Sequence, residues 1–377
     1  MLATATAGAL VLAGCSSPAP KRPSQTLTVA VEVARTGPDA AVGAAILRGA
    51  QAAASQIDAR GGVLHKTLQV VGEDDGGAVP AAGRLARRLV ARPPAAVIGP
   101  IYPVVADAVL PVYRRAGLAV LSMAGGGSDD GVPDVGFTDR QQAALVAQDL
   151  VEVLRAHTVT VVVDTRDRTA GLAAALQGLL DAAGVTTTPV ALSGPAGVDS
   201  AVAQASAAHA DALVVLAGDV DGGTIAAALH HAHVSGPCLV SGMSPGATTY
   251  LATSGAPASG CLVAGPAPLT LVPGGTRFTA AQSSLSGAAA FWSALGHDAV
   301  SVVAAAVEQA GSSDPEAVRR ALLQTAAVAG ATGPVTLDPT TGDRIHPPLA
   351  VQAVHDGALQ IDAAWAAYSG WPLSPNG

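Results

Sequence analysis

AAVIGPIYPVVADAVLPVYRRAGLAVLSMAGGG, residues 95–127, alternates two short apolar runs with one helix-compatible segment. Ala95–Ile98 is all apolar, as a strand buried on both faces requires. Gly99-Pro100 ends that run, and Pro103 suits the first turn of a helix, where a missing N–H costs nothing. The helix is expected to run to about Arg115 and to close at Gly117. Leu118–Ser122 is the second apolar run, and Gly125-Gly126-Gly127 ends it. Two parallel strands joined by a helix leave a crevice at their carboxyl ends, where small ligands bind in open α/β sheets.

Toward the amino terminus the alternation continues. Thr26–Ala34 reads as a strand and Thr36-Gly37-Pro38 as a turn. A helix is expected from about Ala40 to Ala59, capped by Gly61-Gly62. Leu68–Gly72 is a second strand leading into Glu73-Asp74-Asp75, and residues 79–92 form an amphipathic helix. Up to Gly127 the order is β-α-β-α-β-α-β, which implies a parallel sheet with helices on both faces. Beyond it the pattern restarts. Helices are expected over Gln141–Arg155, Ala170–Ala183, Val198–Ala208 and Gly222–Ala232. Strands are expected over Thr158–Val163, Val185–Leu192, Ala212–Ala217 and the two runs CLVSG and CLVAG that begin at Cys238 and Cys261. Residues 276–328 return to helices: Thr276–Leu285, Ala288–Leu295, Asp298–Gln309 and Pro315–Gln324, the last N-capped by Asp314. The end, GPVTLDPTTGDR and HPPLAVQAVHDGALQ, reads as strands around an Asp-Pro/Thr-Gly turn.

The chain has 377 residues, enough for two domains of ordinary size, and half of them are apolar, which excludes disorder for most of its length. A net charge of −8 argues against a nucleic-acid surface. Arg84, Arg87 and Arg88 read as the solvated face of one helix. Outside the amino terminus no apolar run reaches the 18 residues of a membrane span.

The amino terminus carries a separate signal. Residues 2–14 are small and apolar and end in Leu12-Ala13-Gly14-Cys15, followed by the polar, proline-rich SSPAPKRPSQ. This reads as a secretory signal. The Leu-Ala-Gly-Cys order resembles the lipobox of bacterial lipoproteins. That resemblance implies cleavage before Cys15, a lipid on its sulfur and tethering to the outer face of the cell membrane, with residues 16–25 as a flexible stalk. Cys238 and Cys261 then remain in an oxidising compartment. If their strands are parallel neighbours the two lie side by side; a disulfide and a pair of buried free thiols both stay open.

Several pieces together resemble the type I periplasmic solute-binding proteins, in the leucine/isoleucine/valine-binding branch that serves ABC importers. They are TGPDAAVG, GAQAAASQIDARGGVLHKTLQVVGEDD, IGP with Pro111 eleven residues after Pro100, LAVLS, FTDRQQ, HDAVSVVAAAVEQAG and GPVTLDPTTGDR, in an order that spans Thr26 to Gln360. The resemblance implies two doubly wound α/β lobes with three crossovers and a ligand cleft between them. After the leader and stalk (1–25), lobe one takes 26–142 plus 268–330 and lobe two 143–267 plus 331–377. It also implies ligand positions. An aromatic of the first loop corresponds to Val42, and the serine that follows IGP-x in the family, which binds a carboxylate, corresponds to Tyr102. Ser122 closes LAVLS, and Ala124, Gly125 and Gly126 take the place of backbone groups and a threonine. In lobe two a tyrosine corresponds to Thr169, a second aromatic to Asp219 or Val220, and the acid that pairs an ammonium to Met243. A buried charge without a partner costs several kcal/mol, so a zwitterionic ligand needs both donors and an anion. Tyr102 and the glycine loop can supply the donors; the anion is not evident, and Asp219 could stand in.

Catalytic readings are weaker. Gly242-Met243-Ser244-Pro245-Gly246 matches G-x-S-x-G, but Pro245 lacks the N–H that an oxyanion hole takes from the residue after the serine. His230 and His233 share a helical face without a third ligand at metal spacing. The expectation is therefore an exported, lipid-anchored solute-binding protein and not an enzyme. It has no cofactor and no metal, is a monomer, and binds an amino acid or related small molecule with an ABC permease as partner. The alternative is a sensing or interaction module on the same fold with a degenerate cleft.

Overall fold

The computed structural model describes residues 25–125, 131–165, 169–234, 236–242, 248–254 and 260–371. The first part alternates β1 (Thr26–Val33), α1 (Ala40–Ala59), β2 (Thr67–Asp74), α2 (Val79–Ala91), β3 (Ala96–Ile98), α3 (Pro103–Arg115) and β4 (Val120–Leu121). These strands form a four-stranded sheet of order β2-β1-β3-β4, with every pair parallel. The second part runs α4 (Asp139–Gln148), a π turn (Asp149–Val153), β5 (Thr158–Asp164), α5 (Ala170–Ala182), β6 (Thr186–Leu192), α6 (Val198–Ala208), β7 (Ala212–Leu216), α7 (Asp219–His231), β8 (Cys238–Ser241), α8 (Thr248–Ser254) and β9 (Cys261–Pro266). Then follow α9 (Gly275–Ala281), α10 (Gly287–Ala310), α11 (Pro315–Leu322), β10 (Leu349–His355), β11 (Ala358–Ile361) and α12 (Ala363–Ser369). The second sheet has seven strands in the order β11-β10-β9-β8-β7-β5-β6. Its β5–β9 pairs are parallel, and β10 and β11 add antiparallel at one edge.

Binary patterning explains the helices. In α2 the inward residues Ala82, Leu85, Ala86 and Leu89 are buried, while Arg88 on the outer face pairs with Glu73 at 3.1 Å. Thr138 and Gln141 form a reciprocal capping box that starts α4. The Asp314 side chain accepts from Ala317 N–H at the head of α11, the cap that the sequence assigned to it.

Three differences from the sequence reading have physical causes. The segments 288–295 and 298–309 are one helix, α10. Gly296 does not break it; a Cβ there would collide with the carbonyl of Ile46, so the glycine permits α1 and α10 to touch. Gly49 of α1 meets the backbone of Ser293 in the same way. The expected helix 141–155 changes after Gln148 into the π turn. The Asp-Pro/Thr-Gly segment makes a single antiparallel bridge, Leu337 to Arg344, whereas the regular hairpin β10–β11 turns at Asp356-Gly357. With 24 residues α10 is long and apolar enough to cross a membrane, but it is mostly buried inside the fold, so here it is a core helix.

The chain passes between the sheets three times: between β4 and α4, after β9, and before β10. One core packs β1 and β3 against α1, α10 and α11 and includes Ala331, Val335 and Leu337, so it reaches past residue 330. A second core packs α4, α5 and α12 on the larger sheet. Arg344 holds the last crossing. It is buried and donates through Nη1 to Thr332 Oγ1 (2.7 Å) and to the Val135 carbonyl (3.3 Å). Its Nη2 donates to the carbonyls of Thr332, Gly333 and Pro334 at 2.9–3.3 Å. Thr332 Oγ1 in turn donates to buried Asp298. Burial lowers the Arg344 guanidinium to about 10, so it remains charged at neutral pH. Cys238 and Cys261 are aligned partners on β8 and β9, with Cα atoms 4.4 Å apart, and their sulfurs are bonded.

Candidate ligand-binding site

Parallel strands send every following loop to one end of the sheet, so the loops after β1, β2, β3 and β4 converge. After β1 comes Arg35–Asp39, after β2 Asp75-Gly76-Gly77, after β3 Gly99–Tyr102, and after β4 Ser122–Gly125. Asp74 organises the first two. Its carboxylate accepts from the N–H of Arg35, Thr36 and Gly76 and from Thr36 Oγ1, at 2.8–3.3 Å. Burial works against its charge, yet these bonds hold it below the ordinary carboxylate value. Asp75 is fully buried; its Oδ1 accepts from Gly77 N–H (2.8 Å), and its Oδ2 has no partner among the described residues. Burial, with the nearby charges of Asp74 and Asp39, pushes its carboxyl up.

Tyr102 is half-buried at the head of α3 and packs on the core under α1 and α10 and on a separate apolar cluster of the same sheet that includes Leu85, Val105 and Val109 of α2 and α3. A Cβ on Gly77, which has φ +64°, would lie 3.3 Å from Tyr102 Cε2 and 3.7 Å from Asp39 Oδ2. Tyrosine and aspartate thus flank one bare glycine. Asp39 stands at the N-cap position of α1, but its side chain makes no cap hydrogen bond.

The loop after β4 is internally bonded. Ala124 N–H donates to Ser122 Oγ (3.1 Å), and Gly125 N–H donates to Asp134 Oδ2 (3.2 Å). Asp134 is buried and also accepts from Gly136 N–H (2.7 Å) and Ser122. Burial pushes it up despite these bonds. The Gly125 carbonyl accepts from Asp139 N–H (3.0 Å), the first residue of α4.

Asp139 carries the connection to the other sheet. A Cβ on Gly171, in the first turn of α5, would collide with its carboxylate. Thr169, just before α5, is buried and donates to the Asp164 carbonyl at the end of β5 (3.3 Å). Gly242, after β8, lies against Thr169 and Ala217. The carboxyl ends of the two sheets therefore meet through Gly125, Asp139, Gly171 and Thr169.

Of the positions expected from sequence, Tyr102, Ser122, Ala124 and Gly125 gather in the loops of the first sheet, and Val42 is half-buried in the first turn of α1, on the first core. Thr169 is at the strand ends of the second sheet. Asp219 and Val220 begin α7, with Val220 exposed. Gly126, Met243 and Cys15 lie outside the described residues, as does Ser244 of the G-x-S-x-G match. Among the described residues no three His, Cys, Asp or Glu side chains are grouped to hold a metal. Two residues of these loops that sequence reasoning did not single out are Asp39, the residue before α1, and Gly77, one glycine of an acidic turn.

Residues 26–358 match the family described as periplasmic binding protein. The chain belongs to that family. A Leu/Ile/Val-binding protein homologue of Brucella melitensis is 27% identical over 342 residues, which cover 88% of this chain and 92% of that protein. Among solved structures, a leucine-binding protein of Thermotoga maritima superposes with a TM-score of 0.74 at 22% identity, over 89% of this chain and 98% of that one. A branched-chain amino acid transporter substrate-binding protein of Streptococcus pneumoniae, solved with isoleucine, gives 0.72 at 20% identity, over 89% and 98%. At these identities the structural likeness speaks to the fold: this is the type I periplasmic binding protein fold, α/β with doubly wound parallel sheets. The family is one of solute-binding proteins.

Proposed function

We propose that this periplasmic binding protein is the substrate-binding component of an ABC importer. It takes an amino-acid-like small molecule between two lobes, 26–142 with 268–330 and 143–267 with 331–377, by hinge closure at the three crossings. It performs no catalysis itself. It is a monomer, exported and held to the outer face of the cell membrane by a lipid on Cys15, and it delivers its ligand to a permease. The observation that supports the reading is the gathering of Gly77, Tyr102 and Asp39 in the carboxyl-end loops of one sheet, whose neighbouring loop reaches the strand ends of the other through Gly125, Asp139 and Gly171. The ligand-binding positions are Tyr102 and the residues around Ala124, with Thr169 and the start of α7 facing them.

A thermal-shift screen against amino acids, amides, organic acids and amines tests it. A ligand at 100 times its Kd adds about 2.7 kcal/mol. Gly77→Val fills the space between Tyr102 and Asp39 and is expected to abolish that shift. A screen in which nothing stabilises the protein would favour the sensing module with a vestigial cleft; a hit that Gly77→Val leaves intact would place the ligand away from Tyr102 and Asp39.

A further inference from the structure

Resting on that reading, we propose that Asp39 is the anionic partner of the ligand and that the first lobe selects a ligand by its ammonium group rather than its carboxylate.

The argument starts from donors. A carboxylate needs N–H or O–H groups aimed at it. In the loop after β4 the two described N–H groups of this kind are already engaged, Ala124 with Ser122 Oγ and Gly125 with Asp134. The exposed Arg35 guanidinium reaches back along β2, where its Nη1 donates to the Gly72 carbonyl (2.9 Å).

The acceptors show the opposite pattern. Asp74 is consumed by four bonds to the loops. Asp75 keeps a fully buried, unpartnered Oδ2 under the Gly76-Gly77 turn. The Asp39 side chain accepts no hydrogen bond among the described residues and does not cap its own helix. Asp39 Oδ2 and the Tyr102 ring both approach Gly77, at 3.7 and 3.3 Å from its Cβ position, and so lie within about 7 Å of each other. An ammonium bound at that glycine would donate to the carboxylate and sit by the ring. A bound cation would also relieve the repulsion among Asp39, Asp74 and Asp75. An acid in this position places the cationic end of the ligand on the first lobe, away from Met243.

The test uses three probes of one shape: leucine, 4-methylpentanoate, which lacks the amine, and 3-methylbutylamine, which lacks the carboxylate. Binding to the purified protein is measured by calorimetry. Leucine and the amine are expected to bind, and the deaminated acid at least about tenfold more weakly. Asp39→Asn should weaken both ammonium ligands about 10- to 100-fold and leave the acid unchanged, and Asp39→Glu should restore most of the loss. A merely structural role would weaken all three alike. If leucine binds but Asp39→Asn changes nothing, or if the acid binds best, the Asp39 assignment falls and the binding function stands. If none of the three binds at millimolar concentration while another compound stabilises the protein in the thermal screen, the Asp39 assignment falls unless Asp39→Asn weakens that compound, and the binding function stands; if the screen is also empty, both readings fall.

Discussion

Replacing Glu32 by glutamine is expected to stabilise the protein, increasingly so as the pH rises. Glu32 lies on β1, is fully buried, and accepts from the Tyr113 hydroxyl of α3 at 2.7 Å through Oε2, while its Oε1 has no partner among the described residues. Burial above all, partly offset by the Tyr113 bond and reinforced by Asp75 and Glu73, raises the carboxyl from 4.5 to about 8. The folded state therefore holds a proton that the unfolded chain releases near pH 4.5. Folding takes up that proton between the two values, so stability is greatest below 4.5 and declines until the pH passes 8. At about 1.4 kcal/mol per unit, the Glu32 share is under 1 kcal/mol at pH 5, about 3 at pH 7 and about 5 above pH 8. Glutamine keeps the acceptor for Tyr113 and needs no proton. Tm measured from pH 5 to 9 should coincide for wild type and E32Q at the acid end and diverge upward, by roughly 6–12 °C at pH 7 for a lobe of this size. Curves that run parallel, or an E32Q variant less stable at pH 8, would mean that Glu32 is ionised in the fold and the reasoning is wrong.

Removing the disulfide with C238A/C261A should cost about 3 kcal/mol, the value for a loop closed over 23 residues. Reductant should lower the wild-type Tm to that of the variant, and a wild-type Tm indifferent to reductant would contradict this. Arg344→Met should destabilise by at least about 3 kcal/mol, because the carbonyls of Val135, Thr332, Gly333 and Pro334 lose a buried donor. A loss below 1 kcal/mol in denaturant unfolding would mean that water replaces the guanidinium at the crossing.

Elements whose signal is local were legible in the sequence. Ala95–Ile98, Pro103 and Gly117 each mark a boundary by their own backbone preferences, and β3, α3 and β4 follow them closely. The identical spacing of CLVSG and CLVAG carried the β8–β9 register, since Cys238 faces Cys261 when the strands are parallel and aligned. What was not legible depends on partners distant in sequence. Gly296 looks like a breaker until Ile46 is seen against it. Nothing local singles out Asp39 until its side chain is found beside Gly77 and not on its own helix. The N–H groups of Ala124 and Gly125 look available to a ligand until Ser122 Oγ and Asp134 Oδ2 are found to accept them. The type of a residue is written locally, but whether its polar atoms are spent is decided by the fold.

The core between the first sheet and α10 sets a constraint on manufacture. Val29, Val31 and Ile98 are buried against residues 290–307 and 318–322, which the ribosome adds roughly 190 to 290 residues later. At 5–20 residues per second, one face of the nascent sheet waits about 10–60 s for its cover. During that interval it is a bare apolar surface with open strand edges, a substrate for a holdase. The glycines that let α10 seat closely on α1 are thus also what finally ends the exposure of the chain to misassembly.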